Sequence, residues 1–561
     1  MDMRVWYKNA MILIDDMRRR REPMLSFWQD IQKYILPWHG RNLAGENSSE
    51  VDSDERDHSD IFSQAPEDAV DRLAAGFQYS ITPRSDPWFS LSPEDQALMM
   101  RYAVRTYLAE VERRMRLVYS KSNLYDALHA VYLELIAFGT AAMAALEDDD
   151  YVVRFKTFTA GEYMIAADDR GRVNVFYREM WMTARQMLSK FGKDNLSVQV
   201  QTALEKGQTE LLFRVCQLIY PNDGAVKDFA LLDKPYVSVY FEKEGMTKND
   251  KALEIKGYYE FPVMVVRWRV VGDDVWGRSP AMKVLPDVKS LYKIAENTLI
   301  ALDKVLDPPL VAPGSLKNDY VDTFPGGVNF SDDISGADAF KPIYQIRPDI
   351  KSAEYIKEQL VAAIQRGFFN DIFLMLTNTP DTKRMTAYEV QGRKEEKMTM
   401  LGPVLGRLQG ELLEQIIDRT FAIMYRKGVL PTPPRELAGS DLKVEYLSIL
   451  AKAQEMSSVN AMLQMLNFAG ALAQVKQEVL DKLNADGMLD EFAEKLGVPP
   501  QALLPEDQVM AIRKQRAEQQ AQMQQMAAAQ SAANMAQTAG KTPLGDGTVL
   551  DKIMERVDEN S

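Results

Sequence analysis

The residues of this chain with the greatest capacity for chemistry are three histidines, one cysteine and three acidic clusters. Their spacing suits no catalytic arrangement. His39, His58 and His129 stand in unrelated contexts, with no HExxH pair and no Cys/His grouping of zinc-ligand spacing, so each reads as a surface or core histidine. Cys216 lies in the alternating apolar run ELLFRVCQLIY and reads as a small buried hydrophobe rather than a nucleophile. The acidic clusters Glu147–Asp150, Asp168–Asp169 and Asp332–Asp333 with Asp338 lack the ligand spacing of a calcium loop and read as solvated loop charge. No GxxxxGK[ST] loop exists to cradle phosphates, and the nearest fragment, FGKD at 191–194, lacks the upstream glycine. The basic run Arg18–Arg21 reads as a charged helix face for solvent or a neighbouring subunit more readily than for nucleic acid. The expectation is a protein with no catalytic residue, no cofactor and no metal; any energy it uses must come from a partner.

Composition bounds what remains. The chain has 561 residues, enough for three or four domains at about 150 residues each. The 46% apolar and 26% charged fractions are those of an ordinary globular protein. Its most apolar stretch, 361–376, is interrupted by Arg366 and Asp371, so no membrane span is expected. The first 21 residues lack the charged, apolar, small-residue order of a signal peptide. A single cysteine excludes an internal disulfide and fits a reducing cytosol. The net charge of −14 argues against a static grip on DNA, which needs a basic face, and does not disfavour a channel whose wall repels phosphate.

The fold class is expected to be mainly α with a small β-rich subdomain (α+β). Leu25, Trp28, Ile31 and Ile35 recur at helical spacing up to Pro37, and 43–60 is a polar, acidic loop. Helical patterns return at 66–81, 93–119 and 123–146. Between 151 and 271 the period changes to short runs rich in Val, Tyr and Phe separated by turn formers, with one helix near 183–206. A rod follows at 279–306, capped by Ser279–Pro280 and ended by Asp307–Pro309. Leu285, Val288, Tyr292, Ala295, Leu299, Leu302 and Leu306 make one stripe along it. A Pro/Gly/Asp-rich excursion at 307–347 leads to a second rod at 351–376, an order that predicts an antiparallel helix pair carrying a small module at its tip. TNTPDTKR at 377–384 breaks the chain before a third helix, 386–428, that stops at Gly428. Residues 436–538 are almost wholly helical in pattern, with a Gln/Ala/Met-rich stretch at 506–537, and 539–561 reads as a tail.

Specific strings then carry a resemblance. RRREPMLSFWQDIQKYILPWHGR (19–41), LAAGFQYSITPRSDPWFSL (73–91), SNLYDALHAVYLELIAFGTAAM (122–143), GEYMIAADDRGRV (161–173), VLPDVKSLYKIAENTLIALDKVLDPPLVAP (284–313) and MTAYEVQGRKEEKMTMLGPVLGRLQGELLEQIIDR (385–419) occur in the order seen in the bacteriophage head-to-tail connecting family. The chain resembles these portal proteins of short-tailed phages over about 19–430.

The resemblance implies a portal fold with wing, helical stem, clip and helical crown, and a ring of twelve subunits at one capsid vertex. The expected map is a wing at 1–275, stem helices at 279–306 and 351–376, a clip at 307–347 and a tunnel loop at 377–385. A long wing helix at 386–428 and a crown at 436–538 complete it. The implied partners are double-stranded DNA in the channel, the terminase large subunit, the major capsid and scaffolding proteins, and tail adaptor proteins, with no membrane. The implied location is the virion, after assembly in the host cytoplasm. Lys383 and Arg384 are the expected channel residues, and the turn Phe324, Pro325, Gly326 and Gly327 the expected clip contact. The alternative from the residues alone is a helical scaffold or adaptor protein unrelated to phage.

Overall fold

The computed structural model describes residues 3–41, 43, 61–95, 98–99, 101–222, 234–243, 252–308, 310–313, 322, 324, 326–331, 341–342, 349–371, 401–437, 442–446, 462–471, 484–495, 504 and 506–539. The chain forms two compact units, Met1–Glu94 with Glu110–Gln454, and Asp95–Ala109 with Glu455–Ser561.

In chain order the first half comprises α1 (Met3–Tyr34), α2 (Ala65–Ile81), β1 (Phe89–Pro93), α3 (Tyr102–Lys121), α4 (Leu124–Phe138), β2 (Thr140–Asp148), β3 (Val152–Phe158), β4 (Tyr163–Ala167) and β5 (Val173–Thr183). Next come α5 (Ala184–Phe191), α6 (Val198–Glu205), β6 (Leu212–Pro221), β7 (Tyr236–Glu242), β8 (Glu254–Tyr258) and β9 (Val263–Arg267). Then follow α7 (Pro280–Leu306), β10 (Leu310–Pro313), β11 (Val328–Ser331), β12 (Lys341–Pro342), α8 (Ile350–Gly367), α9 (Glu414–Arg426), β13 (Leu442–Tyr446), α10 (Ala485–Lys495) and α11 (Glu506–Ala539).

The larger unit is built on an antiparallel five-stranded sheet, β4-β5-β6-β7-β8. Alternation along β6 serves both faces: Cys216 and Leu218 point into one apolar cluster, Val215 into another. On the first face, α1 lays down Trp6, Ala10, Ile14 and Met17, spaced for one side of a helix. On the second, α5 and α6 contribute Ala184, Met187, Phe191 and Val200. The sequence reads this region as a single helix. Gly192, at φ +76°, ends α5, and Ser197 starts α6 by accepting a bond from the Val200 N–H.

A second sheet, β3-β2-β9, packs beside the almost fully buried α4. Here the structure departs from the sequence pattern, which continues the helix to 146. Gly139 closes α4 in the left-handed region at φ +81°, and a Cβ there would stand 2.5 Å from the Gly277 carbonyl oxygen. The Ala-rich Thr140–Asp148 then becomes the central strand, because β3 and β9 satisfy both of its edges. The second departure is β13: a short strand inside the expected helical region pairs antiparallel with β1, Phe89 opposite Tyr446.

The helix that ends at Arg426 is clamped to this sheet by charge. It contains a π-turn at Gln409–Leu413, and Glu411 within it binds the Arg267 guanidinium at 2.7 Å and backbone N–H at 2.9 Å. Arg419, buried, donates to the Ala145 carbonyl at 2.8 Å and to the Glu260 carboxylate at 3.1 Å.

In the smaller unit, α10 and α11 are joined by a bidentate Arg513–Asp486 pair. The described side chains of α11 are exposed apart from the half-buried Val509, as its Gln/Ala composition offers few apolar anchors.

Candidate functional site

Ser279 caps α7 by accepting a bond from the Met282 N–H, and the helix runs through Pro286 for 27 residues. Its first half is anchored. Val284, Leu285, Val288, Leu291, Tyr292 and Ala295 are buried, and the Tyr292 hydroxyl donates to the Tyr34 carbonyl at 2.8 Å. Beyond Ala295 no residue of α7 is buried, and in α8 only Ile364 is. The two helices pack against each other. The α-carbon of Gly367, at the end of α8, lies so close to Val284, near the start of α7, that a Cβ would stand 2.1 Å from the valine methyl. The pair is therefore antiparallel. Its far half exposes Leu299, Ile300, Val305, Leu306, Tyr355 and Ile356, with Leu306 at 81% and Tyr355 at 63%. The stripe read from the sequence is thus two surfaces, one spent inside the subunit and one left open. Only burial, which periodicity does not reveal, separates them.

Between the two helices lies a small sheet of order β11-β10-β12, with β10 parallel to β11 and antiparallel to β12. The described residues of the turn, Phe324, Gly326 and Gly327, fold back onto the end of α7. The Gly326 N–H donates to the Asp307 carbonyl at 2.7 Å, and the Gly327 N–H to that of Phe324 at 3.0 Å. Gly326 is left-handed, at φ +73°, and a Cβ there would stand 2.3 Å from an Asp307 carboxylate oxygen, so glycine is required. Phe324 is 70% exposed, an aromatic ring on a backbone-fixed turn. Pro325, Lys383 and Arg384 lie outside the described residues, as do Asp332, Asp333 and Asp338.

The other sequence candidates are absorbed by structure. Arg18 pairs with Asp15, and Arg19 and Arg20 with Asp16, while Arg21 is buried and donates to the Gly161 carbonyl. Cys216 accepts a bond from the Tyr177 hydroxyl, and burial pushes its thiol up to about 12, far from a reactive thiolate. Glu147, Asp148 and Asp149 pair with Arg426, Arg154 and Lys427. Among the described residues no group of three or more His, Cys, Asp and Glu is placed to hold a metal ion. No described helix is long and apolar enough to cross a membrane. His39 was missed as a partner: its ring lies 3.1 Å from Glu134, in a contact between segments 95 residues apart that no local pattern signals.

The model of the family described as "Bacteriophage head to tail connecting protein" matches residues 8–504. The chain is 40% identical to a "Portal protein" of Salmonella phage epsilon15 over 541 residues, 96% of each chain. It is 38% identical over 540 residues to a "Probable portal protein" of Bordetella phage BPP-1, again 96% of each. Among solved structures, a chain from the neck of an empty gene transfer agent particle aligns with a TM-score of 0.32 and 10% identity, covering 71% of this chain and 86% of that one.

Proposed function

The chain belongs to the bacteriophage head to tail connecting protein family, whose role is structural rather than enzymatic, and from that premise we propose that twelve copies close into a ring at one capsid vertex. The observation that carries this is the open far half of the α7–α8 pair. A ring requires one face of each subunit to meet a different face of the next. A long helical pair with six large apolar side chains exposed supplies such a face, and lateral neighbours would remove it from water.

In this reading 1–275 forms the wing, α7 and α8 the stem, 307–347 the clip, 377–385 the tunnel loop, 386–428 the long wing helix and 436–538 the crown. Double-stranded DNA passes through the ring during packaging and ejection. The clip, with Phe324 exposed, docks first the terminase large subunit, which supplies the ATP-driven motor, and later tail adaptor proteins. Capsid and scaffolding proteins hold the wing in the shell. Quantitative mass spectrometry of purified phage particles tests the assignment: twelve copies per particle are expected, and hundreds of copies would place the chain in the shell instead.

Lys383 and Arg384 would form a cationic collar in an otherwise acidic tube. Each contact with passing phosphate is weak and screened by salt, which suits guidance rather than grip. Lys383→Ala with Arg384→Ala is expected to leave ring assembly unchanged and to lower packaged-DNA retention or packaging yield severalfold. Normal yield and normal retention would remove both residues from the mechanism.

A further inference from the structure

A cleft of about 1300 Å³ opens in the larger unit between the edge of the β3 sheet and the five-stranded sheet. Its lining holds seven cationic side chains and four carboxylates, a net charge of +3 in a chain whose overall charge is −14. All four carboxylates are engaged: Glu147 with Arg426, Glu162 with Arg41, Glu179 with Lys243 and Glu254 with Lys256. Lys156, Arg178 and Lys190 have no carboxylate partner among the described residues, yet they are crowded together. Arg178, 8% exposed, donates to the Gln217 side chain at 2.7 Å and lies 5.0 Å from the centre of the Phe158 ring. The Lys156 ammonium lies 5.7 Å from that same ring. The Lys190 ammonium sits 4.0 Å from the centre of the Tyr240 ring, whose hydroxyl in turn faces Arg178 at 3.5 Å. Lys190 is exposed as a residue, but desolvation of its ammonium over the aromatic rings and then the charge of Arg178 bring it down to about 8. Glu162 and Glu254 act on Lys156 and Lys190 only at longer range, so three like charges held together without a direct ion pair form a site that an incoming anion would relax.

We propose that this cleft docks a carboxylate-bearing segment of a second copy of the chain, through Lys156, Arg178 and Lys190. The inference rests on the ring reading. Nucleic acid fits less well. A duplex carries one phosphate charge per roughly 1.7 Å of axis, and the four engaged carboxylates and the Met180, Trp181 and Met182 wall would oppose it. A peptide segment matches both the modest net charge and the apolar wall. Carboxylates outnumber cations by 81 to 67 in the chain, so a neighbouring copy brings them at high local concentration.

Zero-length carbodiimide coupling of assembled full-length protein, mixed from unlabelled and 15N-labelled copies, tests this. Amide links from Lys156 or Lys190 to Asp or Glu peptides of the opposite isotope are expected. Links found only within one copy would overturn the proposal. In parallel, Lys156→Ala with Lys190→Ala should weaken association at least tenfold by mass photometry, with thermal unfolding unchanged. Wild-type association in that variant would overturn the proposal, and so would wild-type association with loss of binding to a short DNA duplex, which would reassign the cleft to nucleic acid. If wild-type protein forms no higher-order species at all, the ring reading falls first and this proposal with it. Rings without inter-copy links remove this proposal alone.

Discussion

Leu306→Asp combined with Tyr355→Asp is expected to abolish ring assembly while leaving the subunit folded. Both side chains belong to the far half of the helix pair, at 81% and 63% exposure, so neither contributes to the subunit's own core. Exposed substitutions of this kind change folding stability by about 0.5 kcal/mol or less. At a lateral interface the consequence differs. Burying a leucine or tyrosine there contributes about 2 kcal/mol, and burying an unpaired carboxylate costs more than that. A loss of about 4 kcal/mol per interface is close to a thousandfold in affinity, and a closed ring incurs it at every contact. Mass photometry at micromolar protein should show monomers with an unchanged far-ultraviolet spectrum. Rings formed at the wild-type midpoint would place the subunit contacts elsewhere.

Glu134→Ala should destabilise the subunit strongly without removing any of its apolar core. Glu134 is 2% exposed on α4, and its carboxylate accepts bonds from the Thr159 hydroxyl at 2.6 Å and the Ala160 N–H at 3.0 Å, besides meeting His39 at 3.1 Å. It ties the loop after α1 and the end of β3 to the central helix. Alanine leaves these groups without their acceptor, at a cost of about 3 kcal/mol in denaturant unfolding. Because His39 is partly solvated, most of that loss arises at Thr159 and Ala160 rather than from the ion pair.

The same contact makes stability depend on pH. The Glu134 hydrogen bond, against burial and helped by the charges of Glu134, Asp71 and Glu67, raises the His39 imidazole above its ordinary value. A group raised on folding binds its proton more tightly in the folded state, so its contribution is complete below about pH 6.5 and is lost as pH rises through the folded value. Asp71 and Glu67 are also raised, chiefly by burial, and add a slope of the same sign in the carboxylate range. Glu134→Gln should cost about 1 kcal/mol and flatten the histidine part of the profile. An unchanged slope between pH 6 and 8 in that variant would assign it to other groups.

Elements defined by local chemistry were legible in the sequence. Ser279–Pro280 marks the start of α7, and the alternating run around Cys216 predicts β6 and the burial of that thiol. What escaped depends on distant partners. Thr140–Asp148 has a helix-forming composition and becomes a strand only because two other strands flank it. β13 exists because β1 accepts it from more than 300 residues away. The cationic cleft gathers Lys156, Arg178 and Lys190 from separate elements, leaving no spacing to read. The apolar stripe of α7 was visible, but its division at Ala295 into a buried half and an open half was not, since that depends on how far α1 and α4 extend along it.

The open half of the α7–α8 pair implies lateral neighbours, and the mass of the purified wild-type protein tests that most directly. Mass photometry across several salt concentrations should show a dominant particle near twelve times the 63.7 kDa chain. Monomers or dimers alone under every condition would contradict the ring and favour a helical scaffold or adaptor.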